Sequence, residues 1–287
     1  MEEHKAWNLS SCACTEIIDG CEVHHKEITH RDVTIHLVEC GNPDGELVLL
    51  LHGFPNFWYV WKNQFKPLHD MGYHIVAPDL RGYNTSSKPQ GIRNYGRAEV
   101  LSDIICLIEC FNAGKPTNIV GHDWGVIVAL SLAEDAPDVV RRLIVVNGPH
   151  PKIMLHVILT NIHQLYRSWY IFFFQLPWLP ERVFSKNGFE KLKKALEQNG
   201  LPEDDVERYV QAWSVPGSVT SSMNYYRAIF WGYWLRKKPQ VKLNIPVTVI
   251  WGELDKFLVN ELANVPRDIF SKVSVLQIPK VFLCNLS

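Results

Sequence analysis

The most chemically pointed stretch of the chain is Gly121-His-Asp-Trp-Gly125, preceded by the short apolar run Ile119-Val120 and followed by the apolar run Val126 to Leu130. A strand-like run, a tight glycine-flanked turn and a helical run together form the layout of a nucleophile elbow. In that motif the central side chain is exposed at the top of a parallel sheet, and the backbone N–H that follows it is free to bind an oxyanion. The central residue here is Asp123 rather than Ser, so the expected intermediate is an alkyl ester of a carboxylate and not an acyl-serine. Val126 stands where a small residue would let helix and strand approach closely, so a slight displacement of the helix is expected.

Such a turn needs a sheet to hold it. Val23 to Glu39 alternates around Val33-Thr-Ile-His-Leu-Val38 and reads as an antiparallel hairpin. Leu47-Val-Leu-Leu-Leu51 is continuously apolar, as expected of a strand buried on both faces, and runs into His52-Gly-Phe-Pro55. Trp61 to Met71 is expected as a helix and Tyr73 to Pro78 as a strand. Tyr95 to Ala113 reads as an amphipathic helix with Val100, Ile104, Leu107 and Ile108 on one side. Asn118 to Val120 then leads into the turn, Gly125 to Glu134 forms its helix, and Leu143 to Asn147 is a sixth strand. Ile245 to Trp251 and Val273 to Ile278 supply the last two. Strands alternating with helices imply an α/β class, with a mostly parallel sheet and right-handed crossovers.

The expected organisation is an N-terminal segment 1–22, a core in two parts (23–147 and 241–279), a helical cap 148–240 between them and a divergent tail 280–287. The cap stretch is rich in aromatics and too apolar to remain solvated, so its inner face should roof a pocket. Trp169, Phe172 and Trp213 are candidate substrate-binding residues in that roof, with Tyr170 among the aromatics beside them. The run Trp169 to Trp178 is too short to span a bilayer, is broken at Pro177, and is read as buried helix ahead of a membrane-touching face.

Composition narrows the chemistry. The 287 residues are 47% hydrophobic and 21% charged, with a formal net charge of -1. That balance offers no basic surface for nucleic acid and no polybasic membrane patch, which leaves small-molecule chemistry. Seven cysteines, an odd number scattered along the chain, suit reduced thiols in a cytoplasmic setting better than a disulfide framework. Met1 to Gly20 has neither a signal-peptide core nor a spanning run. Cys12, Cys14, His24 and His25 lack a usual zinc spacing, so no metal is expected.

Four segments, His52-Gly-Phe-Pro55, Ala77-Pro-Asp-Leu-Arg-Gly-Tyr83, Gly121-His-Asp-Trp-Gly125 and Trp251-Gly-Glu-Leu-Asp255, resemble the α/β-hydrolase-fold epoxide hydrolases, in particular the animal subgroup that includes epoxide hydrolase 4. The resemblance runs from about His24 to Pro279. It implies the α/β-hydrolase fold with a cap after the sixth strand, no cofactor, and a small apolar epoxide as substrate. Asp123 would attack an epoxide carbon. Tyr170 and Tyr226 would donate to the ring oxygen, with Tyr225 the alternate to Tyr226. The backbone N–H groups of Phe54 and Trp124 would form the oxyanion hole, and Asp255 would be the triad acid, with Glu253 the runner-up. His52, His122 and His150 are read as structural rather than as bases.

The resemblance also implies a histidine after Asp255 and a final helix, yet no histidine occurs after His163. The expectation is therefore a C-terminally truncated member lacking the last helix, with the ester formed but its hydrolysis in doubt, and with apolar sheet surface uncovered. Two other readings compete. A haloalkane dehalogenase would share Asp123 and Trp124 and would need a halide donor such as Asn56; a binding protein would keep the pocket without turnover.

Overall fold

The computed structural model describes residues 8–235 and 242–279. The tail 280–287 and the end of the cap stretch therefore lie outside the described residues. Among the described residues nine strands form one sheet: β1 (Asn8–Ile18), β2 (Cys21–His30), β3 (Val33–Gly41), β4 (Leu47–Leu51), β5 (His74–Pro78), β6 (Thr117–His122), β7 (Val140–Val146), β8 (Leu243–Gly252) and β9 (Phe270–Ile278), in spatial order β1-β2-β3-β5-β4-β6-β7-β8-β9. The pairs from β1 to β5 are antiparallel and those from β5 through β4 to β9 are parallel. This is the α/β-hydrolase fold. β1 was not expected: polar and apolar residues are mixed along it without regular alternation, and as the edge strand it needs to cover only one neighbour.

The strand runs are where the apolar pattern puts them because each is covered on both faces. All five residues of β4 and all five of β5 are buried. The helices α1 (Lys62–Asp70), α2 (Arg97–Asn112) and α3 (Trp124–Asp135) fill the connections. α3 is buried along nearly its whole length, as a helix sandwiched between sheet and α2 must be. Val126 stands in its first turn. The side chain is fully buried against Gly148, where a Cβ would overlap it, so the bulk gained at one position is offset by its absence at the other.

Among the described residues six helices lie between β7 and β8: α4 (Pro151–Thr160), α5 (Ile162–Arg167), α6 (Trp169–Phe173), α7 (Leu179–Gln198), α8 (Glu203–Ser214) and α9 (Ser218–Phe230). α7 is broken at Asn187 to Phe189, which take positive φ. On the far side of the sheet β9 forms the edge, with Val275 and Leu276 exposed. Among the described residues no helix is long and apolar enough to cross a membrane.

A buried ion pair locks the loop after β5 to α2. Arg81 donates from Nε and Nη2 to the two carboxylate oxygens of Asp103, both at 2.6 Å, and from Nη1 and Nη2 to the carbonyls of Asn94 and Glu99. Removing one partner strands the other charge in a site with little water. Asp103→Ala is expected to lower unfolding stability by about 3–5 kcal/mol in urea titrations; a loss below about 1 kcal/mol would mean the guanidinium finds solvent after the change.

Candidate active site

Asp123 sits between β6 and α3 with φ 50° and ψ −115°, a left-handed conformation that costs a non-glycine residue energy and is held only by its surroundings. Those surroundings are backbones packed without side chains. A Cβ on Gly53 would overlap the Asp123 carboxylate and the Trp124 amide, and one on Gly125 would overlap the Leu51 carbonyl. The carboxylate is consequently pressed against the end of β4, where Oδ1 accepts the Phe54 N–H at 2.8 Å. The Trp124 N–H also favours the charged form of this carboxylate.

His52 explains why the Phe54 N–H points there. The buried imidazole accepts the Leu80 N–H on Nε2 at 2.9 Å, so Nδ1 carries the proton and donates to the Gly53 carbonyl at 3.0 Å. Burial lowers its pKa, which keeps the ring neutral and suits this bonding pattern. Its place is therefore in shaping the loop.

On the opposite wall, Asp255 follows β8 and is buried. Its Oδ1 accepts the N–H groups of Phe257 and Leu258 at 2.8 and 2.9 Å, and its Oδ2 accepts Nδ2 of Asn147 at 2.7 Å. Asn147 was missed in the sequence, where it reads as the end of a strand. It takes φ 36° just after β7, and its Oδ1 also accepts the Gly252 N–H, so one amide ties β7 to the loop that carries Asp255. The Asn-Gly-Pro run that follows the strand was the available signal for a tight turn there.

Asp123, Asp255 and Asn147 share a cavity of about 200 Å3 with Phe54, His122, Tyr170, Phe174, Tyr226, Phe257 and Leu258. The rings of Tyr170 and Tyr226 meet edge to face at 5.8 Å, and Tyr226 packs on Trp124 and Phe54 at 5.1 and 5.7 Å. Tyr225 points elsewhere, its hydroxyl donating to the Arg81 carbonyl at 3.0 Å among buried rings. Glu253 and Asn56 do not line the cavity. Asn56 Oδ1 instead accepts the Tyr209 hydroxyl, to one side of the cavity.

Three expected lining residues stand elsewhere. Trp169 and Phe172 are exposed on the outer face of α6, because the register that turns Tyr170 and Phe174 inward, four residues apart, turns these two out. Trp213 is buried behind the cavity wall, where it donates from Nε1 to the Pro55 carbonyl and packs on Phe54 at 5.4 Å.

The helices above the cavity are bonded to both of its walls. α5 reaches the Asp255 side, with Arg167 donating to the carbonyls of Asp255 and Leu258, and Gln164 bridging Phe257 and Val259. α8 reaches the Phe54 side through Tyr209 and Trp213. It also meets β1 and the first helical turn beyond the loop: Arg208 donates to Glu16 at 2.8 Å, and the Tyr59 hydroxyl donates to Asp205 at 2.8 Å. Among the described residues no group of three or more His, Cys, Asp or Glu side chains is placed to hold a metal.

Two carboxylates in one apolar cavity have an electrostatic consequence. Burial raises Asp123 to about 7; the Phe54 and Trp124 N–H groups oppose this and the Asp255 charge adds to it. Burial, with Asp123 nearby, also raises Tyr226 well above its ordinary value, so its hydroxyl stays protonated.

Residues 46–282 match the alpha/beta hydrolase fold family. The chain is 44% identical over 240 residues to the AB hydrolase superfamily protein YfhM of Bacillus subtilis, covering 82% of this chain and 83% of that one. It is 36% identical over 249 residues to human epoxide hydrolase 4, covering 84% and 67%. A crystallised variant of the Bacillus megaterium epoxide hydrolase, in complex with its naphthyloxy-propanediol product, superposes with a TM-score of 0.78 at 34% identity, covering 88% and 90%. The chain thus belongs to the α/β-hydrolase fold family. Its branch of that family is the epoxide hydrolases.

The raised Asp123 fixes the sign of a pH effect. Below the unfolded value near 4 the group is neutral in both states. As pH rises toward about 7 the unfolded chain ionises first, so the native state loses stability over that interval. Asp123→Asn removes this penalty. In urea titrations the variant is expected to be the more stable, with an advantage that grows by on the order of 2–3 kcal/mol from pH 5 to pH 8. A gain that does not change with pH would mean that Asp123 ionises normally in the folded protein.

Proposed function

We propose that this chain opens a small apolar epoxide by attack of the Asp123 carboxylate. The observation that carries the reading is that Asp123 and two tyrosines, Tyr170 and Tyr226, line one apolar cavity. An epoxide held with its oxygen toward the tyrosines presents the back of a ring carbon to Asp123. As the new C–O bond forms, the ring C–O bond breaks and the oxygen takes a proton from a phenol, which solvent later restores. A protonated phenol is a competent donor because it is more acidic than the alcohol it creates. Asp123 must be ionised to attack.

The product of this step is an ester whose carbonyl oxygen occupies the position now held by Oδ1. The Phe54 and Trp124 N–H groups are then the oxyanion hole for its hydrolysis, and one such donor is typically worth about 10²- to 10³-fold in rate. Water activation is a separate requirement. Asp255 takes its hydrogen bonds from Asn147, Phe257 and Leu258, and the chain carries no histidine after His163. On this reading hydrolysis of the ester is the slow step. A product diol complex of the Bacillus megaterium relative supports an apolar aryl epoxide as the first substrate to test.

Incubation with styrene oxide followed by intact-mass analysis is expected to add the mass of one epoxide, mapped to Asp123 and absent from Asp123→Asn. Rapid diol formation without an adduct would show an efficient base; neither adduct nor diol would leave a binding protein. Tyr170→Phe and Tyr226→Phe should each slow adduct formation by roughly 10²-fold, whereas Tyr225→Phe, whose hydroxyl is engaged with Arg81, should change it little. Adduct formation should also slow as pH falls below about 7, because Asp123 then becomes protonated.

A further inference from the structure

A row of hydrogen bonds runs from the surface to the loop after β5 through four titratable side chains. Oε1 of Glu16 on β1 is joined to Nε2 of His25 on β2 at 3.0 Å, Nδ1 of His25 to Nε2 of His36 on β3 at 3.0 Å, and Nδ1 of His36 to Oδ2 of Asp79 at 2.7 Å. The outer end opens on a groove of about 570 Å3, with Glu16 and His25 on one side and Asp204, Glu207 and Arg208 of α8 on the other. The inner end is fully buried: Asp79 also accepts the Trp58 N–H and Nδ2 of Asn84, and lies 4.0 Å from His52.

Counting hydrogens gives the state of this row. Three hydrogen bonds need three hydrogens, and two neutral imidazoles supply two, one on each ring. An ionised carboxylate supplies none. Both carboxylates are engaged as acceptors, Asp79 by the groups just named and Oε2 of Glu16 by Nη2 of Arg208 at 2.8 Å. The bonds from His25 and Arg208 hold the Glu16 carboxyl down at about 2, so it brings no proton of its own near neutral pH. The count is the same whichever tautomers the rings adopt.

We infer that His25 and His36 share one added proton, and that this proton closes a side-chain path from Arg208 on α8 to Asp79 in the loop after β5. When it leaves at higher pH, two acceptors face each other at one of the three joints, and the path is interrupted whichever joint parts. Histidine is the side chain whose charge changes near neutral pH, and the groove gives His25 a route to solvent. The carboxylates around the row favour the proton: Asp204 and Glu207 on the groove, Asp205 with the Tyr59 hydroxyl and Lys62 bonded to it, and Glu27, the cross-strand neighbour of His36. The positive groups are Arg208, Lys62 and Lys88, and the other histidines nearby are His24, bonded to the Thr15 hydroxyl, and His52. The device is independent of the chemistry proposed at Asp123. Its sign follows from the unfolded chain, where both rings lose their protons near pH 6.5. Above that value folding takes up a proton, so the row contributes stability that is fully present below it and is lost as pH rises, by about tenfold in the folding equilibrium per pH unit while the added proton stays bound.

Glu16→Gln is the variant that tests this, because its side-chain N–H supplies the third hydrogen, lets both rings be neutral and leaves a carbonyl oxygen to accept from Arg208. Long-range proton–nitrogen NMR spectra of the histidine rings in the full chain read the count directly. The parent at pH 7 is expected to carry hydrogen on three of the four ring nitrogens of His25 and His36, falling to two at higher pH, whereas Glu16→Gln carries two throughout. In urea titrations from pH 7 to pH 9 the parent should lose more stability than Glu16→Gln, by up to about tenfold in the equilibrium per pH unit; the Asp123 contribution is common to both and cancels. His25→Phe should show the shallow slope of Glu16→Gln. Two protonated ring nitrogens in the parent at pH 7, or the same pH slope in the parent and Glu16→Gln, overturns the inference, and the parent spectrum decides alone if a variant does not fold.

Discussion

The hydrogen bond from the Phe54 N–H to Asp123 is the contact through which the rest of the site is assembled. It joins the ends of two neighbouring parallel strands, β4 and β6, at the point where each leaves the sheet. For it to form, Asp123 must adopt a left-handed backbone and the glycines at 53 and 125 must carry no side chain. His52 must be neutral and turned to hold the following loop. None of these features stabilises the fold on its own account. Each is a local cost borne by the sheet so that a carboxylate can be buried with its acceptor oxygen already engaged.

The electrostatic counterpart is the treatment of the second carboxylate. Asp255 receives three N–H donors, two from its own loop and one from Asn147, whereas Asp123 receives the Phe54 N–H and is raised by burial. Asn147 matters here because a side-chain amide both donates to the acid and accepts from Gly252, which a backbone group in that position could not do.

How far these features could be read beforehand depends on whether they are written in residue type or in direction. The elbow was readable because its glycines, its apolar flanks and Asp123 are all questions of type. Tyr226 against Tyr225 is a question of direction, since neighbours on a helix point about 100° apart, and aromatic content says nothing about which one enters the cavity. The same ambiguity moved Trp169 and Phe172 to the outside. β1 escaped notice because its polar and apolar residues do not alternate regularly, and Asn147 because its role arises only when β7 and β8 are side by side.

The Glu16–Arg208 pair has a further consequence. It joins β1, a strand outside the span matched by the family, to α8, while α5 is fastened to the loop at the other wall. In mechanical terms the roof is a beam supported at both ends rather than a hinged flap. Held over both walls in this way, the roof keeps Tyr170 and Phe174 facing the cavity, and the side chains of Phe174, Phe257 and Leu258 bound the space beside the carboxylate.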